Sequence, residues 1–175
     1  MTGFVAMLRG INVGGRNMVK MDALKALHES LGFKSVRTHL QSGNVVFQAK
    51  SADAARIEQA IRKTLHLELS VVIRTAAELR DAVKRNPLPQ WVSHSSAYVI
   101  AFLSAQPEDP AALDAYDGPE EMRLLGRELY IYYGEGMGRS KLTNTLIERK
   151  LGVRATARNW NTVTKLLELC EALES

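Results

Sequence analysis

Val36-Arg37-Thr38-His39-Leu40-Gln41-Ser42-Gly43-Asn44-Val45-Val46-Phe47 decides the fold. Val36, Thr38 and Leu40 alternate with Arg37 and His39, as in a strand with one buried face, and Val45 to Phe47 resumes after the Gln41 to Asn44 turn. The stretch reads as a β-hairpin. Upstream, the continuously apolar Phe4 to Leu8 suits a strand covered on both faces. A helix follows from Met21 to Leu31, with Leu24, Leu27 and Leu31 on one side and Gly32 as its stop. Downstream, Ser51-Ala52-Asp53 opens a helix carrying Ile57, Ile61 and Leu65 on one stripe, and Leu69 to Ile73 is a strand again. The order βαββαβ is the split βαβ arrangement of ferredoxin-like folds.

After a helix from Ala76 to Arg85, Asn86-Pro87-Leu88-Pro89-Gln90-Trp91 breaks regular structure and reads as a linker. The same order then recurs. Ala97 to Leu103 is an apolar strand, Ala111 to Tyr116 a short helix, Met122 to Leu125 and Leu129 to Tyr133 a hairpin about Gly126-Arg127-Glu128. Ser140 to Leu151 is a helix with Leu142, Leu146 and Ile147 inward, and Val153 to Ala157 the last strand. A closing helix from Trp160 to Leu173 has Asn159 or Asn161 as its N-cap. The fold expected is α+β: two tandem ferredoxin-like halves with helices packed on antiparallel or mixed sheets, plus a C-terminal helix. The first half with its trailing helix covers 1–85, the linker 86–96, and the second half with the C-terminal helix 97–175.

The chain has 175 residues, 46% of them hydrophobic and 24% charged, the composition of a globular protein. Lys and Arg number 23 against 19 Asp and Glu, a net charge of +4 compatible with a nucleotide, a nucleic acid or another anionic small molecule. No apolar run reaches the roughly 20 residues of a membrane span, so no membrane partner is expected. The single cysteine, Cys170, allows no intramolecular disulfide and no cysteine-rich zinc site. A cytoplasmic location is the corresponding expectation.

In a split βαβ unit the first two strands are parallel, with the third antiparallel between them, so their carboxyl ends share one sheet edge. The loop Arg9-Gly10-Ile11-Asn12-Val13-Gly14-Gly15-Arg16-Asn17 and the Gln41 to Asn44 turn should therefore lie side by side beside the first helix's N-terminus. Glycines permit positive φ and close approach, backbone N–H groups favour anions, and a helix N-terminus adds positive potential. The site expected is thus a cradle for a phosphate-bearing ligand, with Arg9 and Arg16 as cations and Gly10, Asn12, Gly14 and Gly15 as backbone and amide donors. Gln41, Ser42 and Asn44 would read a base or sugar edge. The structural alternative is a tight loop beside a hairpin turn, with Asn12 bonding its own backbone. Neither the Walker spacing nor the dinucleotide fingerprint is present.

Two further segments offer similar chemistry. Gly134-Glu135-Gly136-Met137-Gly138-Arg139-Ser140-Lys141 leads into a helix, with Lys141 and Asn144 as candidate phosphate ligands; a mobile glycine loop with Ser140 simply as the N-cap is the alternative. Arg158-Asn159-Trp160 offers a guanidinium for phosphate and an indole for stacking on a nucleobase; packing at a domain seam is the alternative. No metal is expected, and the residues identify no cofactor. His28, His39, His66 and His94 lack metal-ligand spacing, Cys170 falls on a core stripe, and Glu120, Glu121 and Glu135 lack a recognisable acid/base partner in the sequence.

Leu8-Arg9-Gly10-Ile11-Asn12-Val13-Gly14-Gly15, Gln41-Ser42-Gly43-Asn44-Val45-Val46-Phe47 and Ala157-Arg158-Asn159-Trp160-Asn161-Thr162-Val163 together resemble the bacterial domain-of-unknown-function 1697 family (DUF1697) across essentially the whole chain. The resemblance implies two ferredoxin-like halves in tandem and carries no established activity, cofactor or catalytic set. From the residues, a binding protein for a phosphate-bearing ligand is the leading expectation. The alternatives are a small-molecule enzyme acting on an anionic substrate, with Arg9 and Lys141 stabilising charge, and a protein-interaction module.

Overall fold

A computed structural model describes residues 1–174. Two compact units divide the chain. One comprises Met1–Asp81 with the C-terminal residues from Lys165, and the other Ala82–Thr164.

The first unit contains β1 (Thr2–Leu8), α1 (Met21–Ser30), β2 (Lys34–His39), β3 (Asn44–Ala49), α2 (Ala54–Leu65) and β4 (Val71–Thr75), followed by α3 (Ala76–Lys84), in which the division falls. Its sheet has the order β2-β3-β1-β4, every pair antiparallel. β1 lies inside the sheet and is buried on both faces, as its unbroken apolar run requires. Phe4, Ala6 and Leu8 form one core with Leu24 and Leu27 of α1 and Ile57 and Ile61 of α2. Phe33 stacks on Phe47 with ring centroids 4.2 Å apart, and Phe47 on Phe4 at 5.6 Å. Glu174 and Leu173, near the chain's C-terminus, accept hydrogen bonds from the Gly3 N–H and the Gln48 side chain.

The second unit contains β5 (Tyr98–Leu103), β6 (Glu121–Leu125), β7 (Glu128–Tyr132), α4 (Asn144–Leu151), β8 (Ala155–Asn159) and the start of α5 (Trp160–Glu174). The order β6-β7-β5-β8, again antiparallel throughout, matches the first sheet strand for strand. Both units are ferredoxin-like.

Local chemistry moves several predicted boundaries. Ala111 to Tyr116 is not a helix: only successive turns form there, closed by i to i+3 bonds such as Tyr116 N–H to the Leu113 carbonyl at 3.0 Å. Pro110 and Asp117-Gly118-Pro119 leave too few residues between them for a helix nucleus to propagate. α4 begins at Asn144 rather than Ser140, because Thr143 is the N-cap, its Oγ1 accepting from Leu146 N–H at 3.1 Å. The segment expected as a linker, 86–96, falls within the second unit, where Pro89–His94 forms a 3-10 helix and Trp91 stacks on Tyr132 at 3.7 Å.

Candidate functional site

After β1 the chain folds into a small finger. The Val13 carbonyl accepts from Arg16 N–H at 2.9 Å and the Asn17 carbonyl from Asn12 N–H at 3.2 Å. At the tip Gly14 and Gly15 have φ of 58° and 74°, the two successive positive values that a type I′ turn needs. Ile11, fully buried, anchors the base of the finger against Gly43. A Cβ at Gly43 would lie 2.6 Å from Ile11 Cδ1, and its φ is +87°, so both packing and backbone demand glycine. Asn12 completes the junction: Oδ1 accepts from Val19 N–H at 2.8 Å, while Nδ2 donates to the Val19 and Gln41 carbonyls at 3.1 and 2.8 Å.

Loop and turn therefore flank one open cleft of about 580 Å³. Asn12 and Gln41 line it together with Met18, Val19, Lys20, Met21 and Asp22. α1 starts there without a side-chain cap, because Lys20 holds the N-cap position and its chain accepts no hydrogen bond. The first-turn N–H groups consequently have no side-chain acceptor, and the positive end of the helix dipole opens on the cleft beside the Lys20 ammonium. Asp22 adds one carboxylate, and Met18 and Met21 add polarisable apolar surface.

A second cleft, of about 260 Å³, lies in the other unit between Tyr116-Asp117-Gly118-Pro119-Glu120 and the Glu135 to Lys141 loop. The Tyr116 hydroxyl donates to Glu120 Oε2 at 2.8 Å and the Ser140 hydroxyl to Glu120 Oε1. Ser140 Oγ accepts from Leu142 N–H at 2.9 Å. Burial raises the Glu120 pKa, but hydrogen bonds from Ser140, Tyr116 and its own backbone outweigh that and hold it below the usual carboxylate value. Among the described residues no group of His, Cys, Asp and Glu side chains has the arrangement of a metal site.

The family described as "Protein of unknown function (DUF1697)" matches residues 1–130, which include the finger and the Gln41 turn. The chain belongs to this family. The DUF1697 chain is also similar in structure to the conserved bacterial protein SP0830 from Streptococcus pneumoniae. The two superpose with a TM-score of 0.74 at 18% sequence identity, over 98% of this chain and 99% of that one, a likeness of fold. No curated protein matches the chain.

Of the residues singled out by sequence in this DUF1697 protein, Asn12 and Gln41 meet at the first cleft. Gly10, Gly14, Gly15, Arg16 and Ser42 are exposed on the loop and turn beside it. Arg9 is half-buried, its N–H bonded to the Ser70 carbonyl at 3.0 Å, and neither arginine lines the cleft. Asn44 is buried, and its amide closes the turn onto the His39 carbonyl and Ser42 Oγ at 2.8 and 3.1 Å. Lys141 lines the second cleft. Asn144 spends its Nδ2 on the Ala155 carbonyl at 2.9 Å.

Arg158, 7% exposed, donates to Thr156 Oγ1 and the Ala157 carbonyl, and burial lowers its pKa to about 10. Asn159 caps α5 through Thr162 N–H at 2.9 Å. Trp160 is likewise 7% exposed and stacks on Tyr98 of the same unit. Sequence reasoning missed Met18, Lys20, Met21 and Asp22. The legible signal was Lys20, rather than Ser, Thr, Asp or Asn, immediately before Met21, which leaves that helix start uncapped.

Proposed function

We propose that this protein binds a phosphate-bearing small ligand of the nucleotide class in the cleft beneath the finger. The observation that carries this reading is the uncapped start of α1 inside a cleft lined also by Lys20 and by the amides of Asn12 and Gln41. Helix N–H groups and a lysine suit a phosphate. Gln41 offers a donor and an acceptor to a base edge, and Met18 and Met21 suit contact with a ring. Asp22 accepts hydrogen bonds from hydroxyl or amine groups such as those on the sugar and base of a nucleotide. A cleft of about 580 Å³ is within the usual range for a small ligand.

Two further elements belong to the reading. Cys170 is a buried free thiol, which suits a reducing, cytoplasmic setting. The units are read as products of tandem duplication. Their strand orders agree, and a buried arginine sits at the same place in each: Arg74 Nη1 donates to the Ile73 carbonyl at 2.9 Å, and Arg158 Nη1 to the Ala157 carbonyl at 2.8 Å.

Thermal-shift measurements with nucleotides, sugar phosphates, inorganic phosphate and short oligonucleotides test the proposal. A mononucleotide at a hundredfold excess over its Kd should stabilise the protein by about 2.7 kcal/mol. Lys20→Ala should weaken binding roughly tenfold, the cost of a charge-assisted contact. If no phosphate compound stabilises the wild type, the reading fails.

A further inference from the structure

The second cleft has a different chemistry from the first. We propose that it is an acyl-transfer centre in which Ser140 is the nucleophile and Glu120 its general base, acting on neutral or cationic carboxylic esters. Three requirements of such a centre are met by geometry. The nucleophile contacts its base, since the Ser140 hydroxyl donates to Glu120 Oε1. The base is oriented by a third group, the Tyr116 hydroxyl, which donates to Oε2 at 2.8 Å. A donor for the oxyanion adjoins the nucleophile: the N–H of Lys141 has no partner among the described residues, and it belongs to the residue following the serine, the position that supplies such a donor in nucleophile-elbow hydrolases.

Leu142 N–H holds Ser140 Oγ at 2.9 Å and so fixes the oxygen with its hydrogen toward Glu120. Arg139 and Lys141 line the same cleft and favour developing negative charge. Asp117 and Glu135, also in the lining, repel an anionic substrate, which selects neutral or cationic ones. A carboxylate is a weaker base than imidazole, so good leaving groups are required: esters rather than amides.

Oγ attacks the ester carbonyl carbon as its proton passes to Glu120 Oε1, and the carbonyl electron pair moves onto the oxygen held by Lys141 N–H. Collapse breaks the bond to the alkoxy group, which leaves with the proton from Glu120. Water then attacks the acyl-serine by the same route, releasing the carboxylic acid and restoring Ser140. Tyr116 is a positioning residue. Its hydrogen bond helps keep Glu120 ionised, so Tyr116→Phe should move the acid limb of the pH–rate profile to higher pH.

The test is labelling of the full chain by a fluorophosphonate, read by intact mass and peptide mapping, with p-nitrophenyl acetate turnover alongside. The expected result is a single adduct on Ser140, absent from Ser140→Ala and formed about 100-fold more slowly by Glu120→Gln. Circular dichroism checks folding; because Ser140 also holds Leu142 N–H, Glu120→Gln, which keeps an acceptor for the serine, decides the matter should Ser140→Ala unfold. A folded wild type that takes no adduct, an adduct on another residue, or Glu120→Gln labelling at the wild-type rate overturns the proposal.

Discussion

His28 shows how one residue of an otherwise apolar helix face sets a pH response. It is fully buried beside the stacked rings of Phe33 and Phe47, its Nδ1 donates to the Leu24 carbonyl at 2.8 Å, and its Nε2 has no partner among the described residues. Burial lowers its pKa to about 4, against a smaller raising by the Leu24 bond. The unfolded chain binds a proton near pH 6.5 and the folded chain only near pH 4, so stability is full above 6.5 and declines as the pH falls between the two values. A difference of that size amounts to about 3 kcal/mol. Urea denaturation across this pH range should show His28→Leu losing that part of the slope; an unchanged slope would mean the ring is solvated. Gly43 is the second decisive residue. Gly43→Ala should cost ~2 kcal/mol or more, because the methyl meets Ile11 and the backbone is left-handed. Chemical denaturation would show it, and a cost near zero would mean that Ile11 does not anchor the finger.

The elements are where sequence legibility divides most clearly. The hairpin of β2 and β3 was readable because Val36 stands among polar neighbours and an apolar run, Val45 to Phe47, follows the turn; Leu40, expected on the buried face, is exposed, and β3 is buried on both faces. β1 was readable from its unbroken apolar run, likewise buried on both faces. Once those strands were placed, the meeting of the finger and the Gln41 turn followed from topology alone. The cleft's other wall did not: residues 18–22 carry no periodicity, and their importance comes from lying between a loop and an uncapped helix. Glu120 and Ser140 are 20 residues apart and joined across two loops, a pairing without a local signature. Ser140 also drew the predicted start of α4 to itself, although the serine is committed to Glu120 and Leu142 and Thr143 caps the helix. Thr143→Ala should therefore cost ~1 kcal/mol of stability, whereas a cap at Ser140 would leave that substitution neutral.

At the scale of the whole molecule, the chain returns at its end to the unit with which it began. Residues from Lys165 onward belong with Met1–Asp81, held by the contacts of Glu174 with Gly3, Leu173 with Gln48, and the exposed pair Arg80 and Glu171 at 2.7 Å. The surface ion pair adds little by itself. Leu166, Leu169 and Cys170 of the same segment are buried. A chain ending at Thr164 should lose hydrogen-exchange protection in β1 and β3, and unchanged protection would show that the first unit does not need α5. The central claim concerns the cleft of that same unit. Titration of 15N-labelled protein with a nucleoside 5′-monophosphate tests it most directly. The account predicts saturable shifts of the Met21 and Asp22 backbone amides and of the Asn12 and Gln41 side-chain amides, absent from Lys20→Ala at the same concentrations. Shifts confined to other residues, or none with any phosphate compound, would contradict it.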